Sequence, residues 1–97
     1  MTNNYPPVRC ARLNCPGAIE GTYRHCTRAC GGIDHLKKNT LDLLAKRELG
    51  YGDTVGPMAE LDLLDAVEVA LNAYIQMRID NSEVLRDRVA RALPVQP

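Results

Sequence analysis

All four cysteines of this 97-residue chain lie between positions 10 and 30, spaced Cys10-x4-Cys15-x10-Cys26-x3-Cys30. In such a pattern each close pair aims two sulfurs at one point, and the loop between the pairs closes back around it. Four thiolates brought together in this way suit a tetrahedral Zn²⁺ ion. The chain contains no Phe and no Trp, so its core is aliphatic and short of bulky anchors. A metal cross-link offsets that shortage in a small domain. Cys10, Cys15, Cys26 and Cys30 are therefore the expected ligands, and zinc the expected cofactor. Two disulfides or an iron–sulfur cluster are the other uses of four clustered cysteines. The polar start Met1–Pro7 carries no apolar signal core, which makes the reducing cytoplasm the expected compartment and favours metal ligation. No stretch approaches the roughly 18–20 apolar residues that span a bilayer, so no membrane partner is expected.

Four cysteines complete a tetrahedron, which makes the expected site structural; a catalytic zinc keeps a position open for water. His25, next to Cys26, and His35, five residues after Cys30, read as surface histidines. The chain has no Gly-rich phosphate loop, no His-Glu-x-x-His and no nucleophile signature. Its carboxylates fall at the solvent-facing spacing of helices, without the burial that separates the pKa values of an acid–base pair. A non-enzymatic protein without a small-molecule substrate is expected.

Along the chain, Pro6-Pro7 favours an extended arm over residues 1–9, free or packed on the cysteine module through Tyr5 and Val8. Pro16-Gly17 turns the chain after the second cysteine and offers backbone amides to the sulfurs. Ala18–Tyr23 alternates, which predicts a small hairpin turning at Glu20-Gly21 with Ile19 and Tyr23 as packing residues. Cys26 and Cys30 are one helical turn apart. The stretch Cys10–Cys30 resembles the short treble-clef zinc fingers, which have an upstream cysteine pair, a hairpin, and an aromatic-Cys-Ser-x-x-x-Cys knuckle. Tyr23 is the nearby aromatic, and Thr27 stands where Ser is usual. The chain departs from the pattern in its x4-spaced first pair and in Gly31-Gly32, expected to limit any helix there to one turn. The resemblance implies zinc binding and contacts with protein or nucleic acid, and implies no activity.

Gly31-Gly32 reads as a hinge between an arm and zinc module (1–32) and a helical region (33–97). A helix is predicted over 34–49, with Asp34 as N-cap and Gly50 as terminator. Pro57 suits the first turn of a second helix running to about Ile79. Asp80-Asn81-Ser82 allows a third helix to about Leu93, or one uninterrupted helix. The fold class is mainly α: a small four-cysteine zinc knuckle module, with a short β-hairpin, followed by two or three helices in a helical hairpin or bundle.

Formal charge is zero, yet residues 1–38 carry six basic and two acidic side chains, and residues 39–97 six basic and ten acidic. The second helix has two apolar sides, more than one short partner helix covers. Leu61, Leu64, Val67, Leu71 and Ile75 are read as an association surface, for a second copy or another protein. The leading expectation is thus a zinc-stabilised adaptor or modulator, in which loss of a ligand unfolds the N-terminal third. The alternative is a nucleic-acid-binding regulator contacting phosphates through Arg9, Arg12, Arg24, Arg28, Lys37 and Lys38. It has few aromatic residues for stacking.

Overall fold

Thr27 starts the first long helix. Its backbone is extended, at φ −141° and ψ 161°, and its Oγ1 accepts the Cys30 amide at 3.1 Å. Such a cap satisfies one of the free donors of a first turn. The helix, α1, spans Arg28–Lys46 without a break at Gly31-Gly32. Both glycines are therefore helical, and the expected hinge and one-turn limit do not occur. Asp34 lies inside the helix, where its carboxylate meets His25 Nε2 at 2.7 Å instead of capping. The computed structural model describes residues 6–94, so Tyr5 and its expected packing fall outside the described residues.

Within a widened π-type turn at Arg47–Tyr51, Gly50 departs from helical geometry at φ +100°, the left-handed conformation that makes glycine the common helix terminator. Arg47 donates to the Asp53 carbonyl at 2.9 Å, and the Asp53 carboxylate accepts the Val55 amide at 3.0 Å. These bonds turn the chain into α2, Val55–Asp80, with Pro57 in its first turn. The chain breaks at Asn81-Ser82, where Ser82 Oγ accepts the Leu85 amide at 3.2 Å and caps α3, Glu83–Arg91. Residues 57–93 therefore form two helices.

The β pairing is not the expected hairpin at Glu20-Gly21. Val8–Arg9 (β1) pairs antiparallel with Ala18–Ile19 (β2), in the register Val8↔Ile19 and Arg9↔Ala18. The loop between the strands carries Cys10 and Cys15. Leu93 joins the other side of β1, accepting from the Arg9 amide and donating to the Pro7 carbonyl, each at 2.9 Å. The segment that follows α3 is thereby tied to β1. Ile19 is buried, but Tyr23 is 76 % exposed and packs into no core.

The molecule measures 54 × 27 × 18 Å with a radius of gyration of 16.3 Å, against about 12–13 Å for a compact chain of this length. It is mainly α, with the cysteine module, α3 and the C-terminal half of α2 at one end. The α1–α2 hairpin projects away from that end. The core cluster is Cys10, Cys15, Cys30, Ile75 and Ile79, flanked by Cys26, Leu71, Leu85 and Val89. The cysteines are thus core residues in their own right. Along the projecting hairpin, Ile33 and Thr40 of α1 and Pro57 and Leu64 of α2 are buried.

Candidate metal centre

Cys10 and Cys15 come from the β1–β2 loop, Cys26 from the segment entering α1, and Cys30 from the first turn of α1. Their four Sγ atoms all lie within 4.8 Å of one another. Cys15 to Cys26 is 3.5 Å, Cys26 to Cys30 is 3.7 Å and Cys15 to Cys30 is 3.9 Å. All four thiols are free, so the disulfide alternative is not the arrangement seen. Four cysteines this close can hold a metal ion.

Local structure prepares the sulfurs for negative charge. The Gly17 amide points at Cys15 Sγ at 3.4 Å, and the Cys26 amide at Cys10 Sγ at 3.3 Å. Thr27 Oγ1 lies 3.2 Å from Cys30 Sγ while accepting the Cys30 amide. One hydroxyl thus caps the helix and supports a candidate ligand sulfur. Cys30 also sits at the positive end of the α1 dipole. Hydrogen bonds from Cys15 and Cys26 hold the Cys10 thiol far below its ordinary range. The same sharing, with Cys10 as the main cause, pushes Cys15 up to about 11 and Cys26 well above its usual value. The cluster takes one negative charge readily and resists the next. A cation at its centre removes that resistance.

Arg12 completes the electrostatics. It is 1 % exposed, pairs with Glu68 at 3.2 Å, and donates to Asn72 of α2. Burial alone would lower its pKa, but the Cys30 and Cys15 sulfurs and Glu68 outweigh that and keep it more basic than usual. A fixed guanidinium beside a thiolate cluster offsets its charge and anchors it to α2. Lys37 of α1 binds the other oxygen of Glu68, and Asp65 at 3.2 Å; the Glu68 contact raises its pKa.

These contacts redraw the basic patch expected from sequence. Arg12 and Lys37 are committed to carboxylates of α2 and do not belong to a phosphate-binding surface. Arg9 donates to the Cys15 carbonyl at 3.4 Å. Arg24, Arg28 and Lys38 are exposed. Arg24 and Arg28 line a groove of about 630 Å³ with Tyr23, His25 and Arg88. Glu20, on the same groove, lies 3.6 Å from Arg88. His25 and His35 bond to Asp34 and Asn39 and do not join the sulfur cluster.

The expected association surface also divides. Leu64 and Ile75 are 7 % and 4 % exposed, and Leu71 packs against the core. They are turned inward because α1 and the cysteine module cover that side of α2. Leu61 is half-buried and Val67 exposed.

Gly17 has a role that only the fold reveals. A Cβ built there would lie 2.6 Å from Cys26 Sγ and 3.1 Å from Cys26 Cβ. A cysteine held by a bound ion could not swing aside as a free side chain does. Gly17→Ala is expected to weaken metal binding by about 10–100-fold, the usual cost of disturbing groups that orient ligands, as read by competition with a chromogenic chelator. Retained affinity would show that the turn gives way at little cost. The Pro16-Gly17 dipeptide signalled a turn; nothing local signalled the approach to Cys26.

No protein-family model matches the chain, and no curated protein or solved structure matches it.

Proposed function

We propose that this protein is a non-enzymatic zinc-binding adaptor or modulator. Zinc fixes the cysteine module, the module anchors the base of the α1–α2 hairpin, and the exposed side of the hairpin binds protein. The observation that carries the reading is the sulfur geometry. A tetrahedron of sulfurs about 2.3 Å from zinc has edges of about 3.8 Å, and the three short sulfur–sulfur distances run from 3.5 to 3.9 Å. With four thiolates the ion has no open position for water, which favours a structural role. No helix among the described residues is long and apolar enough to cross a membrane.

Native mass spectrometry of protein purified without added metal is expected to show one zinc per chain. A chain that takes up no zinc ends the zinc reading. For the adaptor role, a photoreactive residue at exposed Leu63 is expected to give a discrete protein adduct in the cells the protein comes from. The adduct should disappear when Cys26 is replaced by Ser. A chain that forms no adduct, with zinc in place, is not an adaptor through this face.

A second reading is supported by the groove holding Arg24, Arg28 and Arg88 beside the first turn of α1. Three guanidinium groups there, opposed by Glu20, suit contacts with nucleic-acid phosphates. It requires salt-dependent binding to DNA or RNA that Arg24→Glu with Arg28→Glu abolishes. Absence of binding at low salt removes it.

A further inference from the structure

The face of α2 turned away from the core carries Leu63, Val67, Ala70, Tyr74 and Met77. Their spacing is 4, 3, 4, 3, the repeat that forms a continuous seam for a second helix. No charge interrupts these five positions. On α1, Leu36 and Leu43 are one heptad apart. Leu36, Leu43, Leu63, Val67, Tyr74 and Met77 are each between 39 % and 64 % exposed. Lys37 and Asp65 pair across one edge of the hairpin. By helical periodicity Leu36 and Leu43 fall on the opposite edge, and so do Leu63, Val67 and Tyr74. The apolar residues of both helices therefore share one face.

The charges at the ends of the seam indicate what covers it. Glu60 continues the seam toward the start of α2. Arg78 flanks its other end, with its guanidinium 5.9 Å from the centre of the Tyr74 ring. A second α2 laid antiparallel about a twofold axis between Glu68 and Val69 brings Leu63 opposite Tyr74 of the second copy, and Val67 opposite Ala70. Glu60 then faces Met77 and Arg78 of the second copy, so the acidic end of each seam meets the basic end of the other. A parallel pairing would place Glu60 against Glu60 and Arg78 against Arg78, which is repulsive. The surface is thus self-complementary in shape period and in charge, as a twofold interface must be.

We propose that this face pairs with a second copy of the chain, the two hairpins stacking through antiparallel α2 helices into a four-helix arrangement with a metal module at each end. This rests on the adaptor reading and specifies its partner. Sedimentation equilibrium of the zinc-loaded full chain is expected to show a dimer at micromolar concentration. Val67→Glu puts two carboxylates at the axis from an already exposed position. It is expected to raise the dissociation constant at least tenfold, with zinc content and helical circular dichroism unchanged. Glu60→Arg is expected to weaken the dimer likewise, and Glu60→Arg with Arg78→Glu to restore it.

A monomeric wild type, or a dimer insensitive to both Val67→Glu and Glu60→Arg, overturns the proposal. A monomer that still gives a Leu63 adduct with a different protein overturns the second copy alone and leaves the adaptor reading standing. A monomer without any adduct ends both.

Discussion

Removing the metal, by chelation or by Cys26→Ser, is expected to collapse the whole base of the molecule. The cysteines are themselves a large part of the core cluster, packed against Ile75 and Ile79 of α2 and flanked by Leu85 and Val89 of α3. Losing the ion leaves up to four mutually repelling thiolates, or four thiols, at the centre of that cluster. Structural zinc contributes about 10–16 kcal/mol in small zinc-finger peptides at neutral pH, comparable to the entire stability of an ordinary domain, about 5–15 kcal/mol. Cys26→Ser should therefore release α3 and the C-terminal half of α2 as well as the N-terminal third that the sequence alone singles out. Thermal unfolding followed by circular dichroism should lose its cooperative transition on zinc removal. An unchanged melt in metal-free protein would sink this account.

The pH dependence has a definite sign. Cys15 is pushed up to about 11 and Cys26 is raised further, both chiefly by their hydrogen bonds to Cys10. In the metal-free protein at pH 7 these two thiols keep their protons, and zinc must displace them. The bound state therefore holds fewer protons than the free state. Affinity rises with pH across the neutral range and falls toward acid. Calorimetry in two buffers of different ionisation enthalpy is expected to show net proton release on zinc binding. Absence of net proton release would mean that the thiols are already ionised.

How much of this was legible follows from which signals are local. The cysteine spacing picks out the four sulfurs that the fold brings within 4.8 Å of one another, because two short pairs leave them few other uses. Gly50, Pro57 and Ser82 mark helix ends through their own local chemistry, and each stands at the end it announces. Gly31-Gly32 misleads because glycine disfavours helix by only about 1 kcal/mol relative to Ala. Here Thr27 caps the helix, Cys30 anchors its first turn, and Ile33 is buried in its second. Packing against the cysteine core overrides the preference. At Gly31 an added Cβ would meet the His25 ring at 3.5 Å, an ordinary van der Waals contact, so nothing there requires glycine. The two-residue strands are too short to leave a period, and β1 pairs across the whole first ligand loop. On α2, two apolar sides are visible in sequence. Which of them the chain itself covers depends on where the module docks, and that is a tertiary fact.

Arg12 is the residue whose reading changes most, and its replacement carries the second large effect. In the sequence it is one more cation beside a cysteine. In the fold it is almost fully buried, between the sulfurs on one side and Glu68 and Asn72 on the other. Charges alternate from the thiolates through Arg12 to Glu68, and on to Lys37 and Asp65. The cysteine module is thereby joined to both helices of the hairpin. Arg12→Met fills similar space but leaves Glu68 without its buried partner and the thiolate cluster without its counter-charge. Removing one member of a buried pair costs about 3–5 kcal/mol, and an equal order of destabilisation is expected in urea unfolding of the zinc-loaded protein. Arg12→Lys should recover less than half of it, because one ammonium cannot reproduce the fork that reaches Glu68 and Asn72 together. Glu68→Gln should cost less alone than Arg12→Met, since it relieves a carboxylate while leaving the guanidinium beside the sulfurs. The double variant Arg12→Met with Glu68→Gln should be less destabilised than the two single costs added, the mark of a coupled pair. Additive costs would instead assign the effect of Arg12 to the sulfurs alone. An Arg12→Met protein as stable as wild type would show that the module is held to the hairpin by apolar packing, with the charge chain contributing nothing measurable.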